Sequence, residues 1–214
     1  MATEYKVTTT IFMLTAAVLA NGAAGLLYAW SLFILPIEGA LSLNRADLGL
    51  ISSVALVSFT LGVLVVPIIM SRIGRLYAAI LAFALMAGGH LLFGISASWI
   101  TLVLGYGLGF GVGSGLAYGF ALSLAASLPA GIRALSIGLS LGAFALSGIV
   151  LPVVLGNWIS TTAPGTAFLR IGIATLVVGA LCTTALVGAA GVVRDSEKTA
   201  LPPSEPISID KPFL

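Results

Sequence analysis

Six long, predominantly apolar stretches constrain this chain more than any other feature, at roughly 11 to 37, 48 to 70, 76 to 96, 100 to 127, 134 to 158 and 166 to 193. As a helix rising ~1.5 Å per residue, each is long enough to cross the ~30 Å hydrocarbon layer of a bilayer. All nine Lys and Arg and all seven Asp and Glu fall outside the cores of these stretches, as expected when placing a charge among lipid tails costs a few kcal/mol. The links are short: Glu38 to Asp47, Ser71 to Arg75, Ser96 to Trp99, Ser127 to Arg133 and Ile159 to Gly165. Consecutive helices are therefore expected to be antiparallel neighbours.

Water is excluded as the solvent for most of this chain, since 59% of it is hydrophobic and 7% charged, with a mean hydropathy of +1.19; soluble domains carry about 25% charged residues. The net charge of +2 is small and dispersed, so no nucleic-acid partner is expected. Cys182 is the only cysteine, which rules out an intrachain disulfide and reads as a packing residue. The first apolar run continues to Ile37, too far for a cleavable signal core, and reads as a retained span.

The basic residues set an orientation. Lys6, Arg72, Arg75, Arg133, Arg194 and Lys198 fall on one side and Arg45 and Arg170 on the other, so both termini are expected in the cytoplasm of a plasma or inner membrane. Trp99 and Trp158 fall at the expected outer boundary and Tyr77 at the inner one, as anchors. The division expected is a six-helix transmembrane domain over 1–193 and a disordered cytoplasmic tail over 194–214, where Pro202, Pro203, Pro206 and Pro212 stand among charges.

An internal repeat organises the helices. Gly25-Leu26-Leu27-Tyr28-Ala29-Trp30 in the first span aligns with Gly115-Leu116-Ala117-Tyr118-Gly119-Phe120 in the fourth. Phe59, Leu61, Val65 and Pro67 in the second match Phe144, Leu146, Val150 and Pro152 in the fifth at one constant offset. The fold class expected is an all-α polytopic bundle of six transmembrane helices in a three-plus-three arrangement.

The fourth span has glycine at alternate positions from Gly105 to Gly115. Neither a dinucleotide fingerprint nor a phosphate-binding loop is satisfied. On a helix, alternate positions lie roughly 200° apart, so Gly107, Gly111, Gly115 and Gly119 share one side and Gly105, Gly109, Gly113 and Ala117 the opposite one. Two small-residue faces predict a helix sandwiched between close neighbours. Ser114 and Tyr118 lie on a flank between them. Asn21, Tyr28 and Ser31 share a polar stripe on the first span, which in lipid needs a partner or a cavity, whereas Trp30 points away from Tyr28 and reads as packing or lipid contact.

His90 is the one histidine, either a proton relay or a neutral imidazole bonded to another helix or reaching the outer interface. Pro36, Pro67 and Pro152 predict bent helices. No paired carboxylates, metal-ligand cluster or serine, histidine and acid set is present in the spans, so no enzyme, metal or cofactor is expected. Glu38 and Asp47 read as helix caps or solvated loop residues.

These residues resemble the amino-terminal half of a major facilitator superfamily transporter, over about the first 190 residues. Within it, the likeness is to the oxalate/formate antiporter and monocarboxylate-transporter-like branch, whose first-span pattern is similar to Gly25, Tyr28, Trp30, Ser31 and Phe33 followed by Pro36. The branch's fourth-span glycine run ending in Tyr-Gly is similar to Gly109 through Gly119, and its fifth span approaches a proline as this one approaches Pro152. The superfamily's loop motif between the second and third spans is matched by Arg72, Gly74 and Arg75, but its acidic residue is missing, and the connection after the fourth span carries less charge than is usual.

The resemblance implies alternating-access transport of a small organic anion such as a carboxylate. Tyr28 and Tyr118 match aromatic positions that line the family's site, with Asn21, Ser31 and Ser114 as further solute contacts. Members of that branch place their carboxylate-binding Arg or Lys in the second half. The partners expected are therefore the lipid bilayer, the anion, and a second six-helix half or a homodimer partner. The alternatives are a non-transporting scaffold or assembly subunit, whose glycine faces serve packing alone, and a truncated transporter fragment.

Overall fold

The computed structural model describes the backbone of residues 2–200 and the side chains of residues 7–190. The described residues are all-helical, with no strand. Five helices are long and apolar enough to cross a membrane: α1 (Val7–Leu41), α2 (Arg45–Ser96), α3 (Trp99–Ala126), α4 (Ala130–Thr161) and α5 (Pro164–Ala190). The last helix continues in its backbone to Ala200, into the segment expected as a tail, and 201–214 lies outside the described residues.

Five helices stand where the sequence predicts six spans, and the difference lies at one residue. The second and third expected spans are joined in the 52-residue α2, interrupted by Gly74 at φ 79 and ψ 170. That conformation is open almost solely to glycine, because a Cβ would clash with the backbone. An unbroken helix of this length would reach about 78 Å, far beyond a bilayer. Instead, the arms before and after Gly74 pack on opposite sides of α3.

The links explain where the other helices start. Asn44 opens α2 in a reciprocal capping box, its side chain accepting from the Asp47 N–H at 2.9 Å while its own N–H donates to the Asp47 carboxylate at 3.2 Å. Ser98 and Thr101 form the same device at the start of α3. Pro129 precedes α4 and Pro164 opens α5, where a missing N–H costs nothing. Two stretches depart from α geometry: Gly25–Trp30 winds as a tight 3-10 helix inside α1, and the glycine-rich Leu102–Phe110 widens into a π-helix inside α3.

Contacts recur with the offsets of the sequence repeat. A Cβ on Gly25 would run into the carbonyl of Phe144, and one on Gly115 into the carbonyl of Phe59. A Cβ on Gly62 would meet the carbonyl of Val112, while at the matching position in α4 Ser147 donates to the carbonyl of Gly22 at 2.7 Å. The pairing of α1 with α4 is thus repeated by α3 with the first arm of α2.

Candidate functional site: an open aromatic face

The glycines of α3 fix how closely its neighbours approach. Added Cβ atoms on Gly107, Gly111, Gly115 and Gly119 would meet Val54, Ala55, Phe59 and Val66 of the first arm of α2. On Gly105, Gly109 and Gly113 they would meet Gly89, again Gly89, and Met86 of the second arm. Gly89 and Gly105 face each other's carbonyls, so there the two backbones touch. Dispersion and close backbone approach hold such helices together where no hydrophobic drive separates protein from solvent.

This packing places four aromatic rings in one cluster. Tyr28 of α1 meets Phe144 of α4 edge to face at 5.1 Å, and Tyr118 of α3 meets Phe59 of α2 likewise at 5.4 Å. Phe144 also touches Tyr118 at 4.9 Å and Phe59 at 5.9 Å. These rings are the repeat-related pairs, Tyr28 with Tyr118 and Phe59 with Phe144. Tyr28 is 57% exposed and Tyr118 half-buried. Among the described residues, neither hydroxyl has a hydrogen-bond partner. Ser31 is exposed one 3-10 turn beyond Tyr28.

Asn21 and Ser114, expected as solute contacts, lie elsewhere. Asn21 is fully buried and its amide donates to the carbonyl and hydroxyl oxygens of Ser140 at 3.1 and 2.8 Å. Ser114 is fully buried and donates to the carbonyl of Ala24 at 2.9 Å. Both groups tie helices together. On an ideal α-helix Asn21 and Tyr28 would share a face, but the 3-10 winding from Gly25 adds ~20° per residue and swings Tyr28 roughly 80° away.

Trp30 packs inward, stacked on Tyr106 at 4.6 Å, and Tyr106 stacks in turn on Phe110 at 4.9 Å. His90 joins this cluster against Phe110 at 4.5 Å, and its Nδ1 pairs with the carbonyl of Met86 on its own helix rather than on another. Sequence reasoning missed Tyr106, which is buried with its hydroxyl unpartnered among the described residues. Its place inside the glycine run was the available signal, since a bulky residue there must fill a space its neighbours leave.

Arg72 and Arg75 flank the Gly74 break, exposed and without an ion pair among the described residues. At the other end Arg45 pairs with Glu38 at 2.7 Å, and Arg170 lies over the Trp158 ring at 5.7 Å. Among the described residues no group of three or more His, Cys, Asp or Glu is placed to hold a metal. No known protein family matches this chain, and no curated protein matches it either.

Proposed function

We propose that this chain is a six-span half of a facilitator-type transporter, with the arms of α2 on either side of Gly74 crossing the membrane separately. It handles small organic anions such as carboxylates by alternating access. The observation that carries this reading is the pair of Tyr28 and Tyr118 hydroxyls, without a hydrogen-bond partner among the described residues and set about the buried ring of Phe144, Tyr28 exposed and Tyr118 half-buried. A phenol O–H left without a partner in a membrane protein is a donor available to a polar solute. Repeat-related helices meeting at that face suit a site near the bilayer midplane. Ser31 adds a hydroxyl on the same side.

One such face is a single wall, so a second six-helix body or a second copy closes the site. Arg72, Gly74 and Arg75 form the turn at the cytoplasmic end, and both termini lie on that side by the distribution of basic residues. Reconstitution into liposomes loaded with oxalate or lactate tests the proposal by exchange of labelled solute. The Tyr28→Phe, Tyr118→Phe double variant is expected to lose at least tenfold in flux, and equal flux would refute the assignment. The competing reading, a packing scaffold, draws on the interhelical bonding of Asn21 and Ser114, and predicts no flux from any variant.

A further inference from the structure

We infer that a groove between α1, α4 and α5 seats a lipid acyl chain. Two adjoining compartments of about 400 and 550 Å³ share Val18, Leu19 and Ala143. Each falls in the ~300–1,000 Å³ range of small-molecule sites.

The groove exists because side chains are missing from it. Gly22 of α1 and Gly138 and Gly142 of α4 line it, and a Cβ on any of the three would meet nothing within 4 Å. The packing glycines of α3 are the opposite case, each filled by a neighbour. At the repeat-related positions the chain carries Val112 for Gly22 and Val57 for Gly142, so side chains stand where the groove is open.

The lining selects hydrocarbon. In the first compartment the Ser147 hydroxyl donates to the carbonyls of Gly22 and Ala143 at 2.7 and 2.9 Å, and that of Thr175 to the carbonyl of Ile171 at 2.8 Å. Neither of these hydroxyl hydrogens remains for an occupant, which leaves the exposed Thr15 hydroxyl of the second compartment as the one side-chain donor of the lining, and an ordered water needs two or more polar partners. An empty groove would forfeit dispersion contacts along its whole length. It is also continuous with the surface the membrane-crossing helices turn to lipid, since its rim residues Leu139 and Leu146 are exposed beside Ile149, Val150 and Val153. An acyl chain from the surrounding bilayer therefore enters from the side.

The test is native mass spectrometry of the full chain purified in mild detergent, with phosphatidylcholine as the added probe. The chain is expected to retain one phospholipid. The Gly22→Leu, Gly142→Leu variant should retain at least tenfold less, whereas Gly88→Leu, exposed elsewhere with equally open space, should retain it. Should the double variant misfold, Ala143→Phe fills the shared wall instead. Thermal melting gives a second reading: added phosphatidylcholine raises the melting temperature of the unsubstituted chain and not that of the filled variants. Undiminished retention in the filled variants, or no retention by the unsubstituted chain, overturns the inference. So does a dimer that the filling variants dissociate, because the groove would then seat a second copy.

Discussion

Tyr28 meets the ring of Phe144 edge to face, with centroids 5.1 Å apart and planes inclined by 68°. Its repeat-related counterpart, Tyr118 against Phe59, has centroids 5.4 Å apart and planes at 61°. Similar geometry from two segments remote in sequence is what a duplicated helix pair packing on its twin produces. The glycines make it attainable. Gly25 lets α1 lie on the backbone at Phe144, and Gly115 lets α3 lie on the backbone at Phe59.

Gly115 should therefore tolerate no side chain. Gly115→Ala drives a methyl into the Phe59 carbonyl and is expected to cost about 1–3 kcal/mol, the usual range for overpacking. Gly138→Ala, with open space at its Cβ, should be neutral or stabilising. Equilibrium unfolding in mixed micelles separates them, and equal effects would mean α3 is not clamped by α2.

Asn21 and Ser140 form a buried side-chain bond between α1 and α4. Interhelical hydrogen bonds in membranes average about 0.6 kcal/mol and reach about 1.7. A double-mutant cycle with Asn21→Ala and Ser140→Ala is expected to give a coupling of about 1 kcal/mol in stability. Asn21→Ala should leave solute exchange detectable once the protein is folded. A loss of exchange without loss of stability would return Asn21 to the solute site.

Tyr106→Phe removes a buried hydroxyl that has no partner among the described residues while keeping the ring between Trp30 and Phe110. An unsatisfied buried polar group costs about 1–3 kcal/mol, so this variant should unfold at an equal or higher denaturant concentration. A clear loss of stability would show that the hydroxyl bonds to an ordered water.

The apolar stretches, their short links and the two glycine faces of α3 are legible in the sequence because each depends on local periodicity. The divergence of Trp30 from Tyr28 is legible for the same reason, whereas the choice between packing and lipid contact for Trp30 is made only by its stacking on Tyr106. The separation of Asn21 from Tyr28 is not, since it arises from the 3-10 winding between them, which nothing in Gly25–Trp30 announces. Nor is the engagement of Ser114, because a serine bonded to another helix's carbonyl and one facing a cavity are identical as letters. Tyr106 had only its place in the glycine run to announce it, since its burial is completed by Trp30 and Phe168 arriving from other helices. At Gly74 the sequence shows a turn between two spans, while the backbone keeps helix on either side of one non-helical residue.

The most direct measurement is water-soluble thiol labelling in native membranes, with single cysteines at positions 28, 31 and 118 in a Cys182→Ala background. Leu61, on the apolar surface of α2, and the buried Ser114 serve as controls. Cysteines replacing Tyr28, Ser31 and Tyr118 should label rapidly and be protected by oxalate or lactate, while those replacing Leu61 and Ser114 stay unreactive. Labelling at 28 and 118 as slow as at 61 would show that this face meets lipid or another helix and not a watery passage.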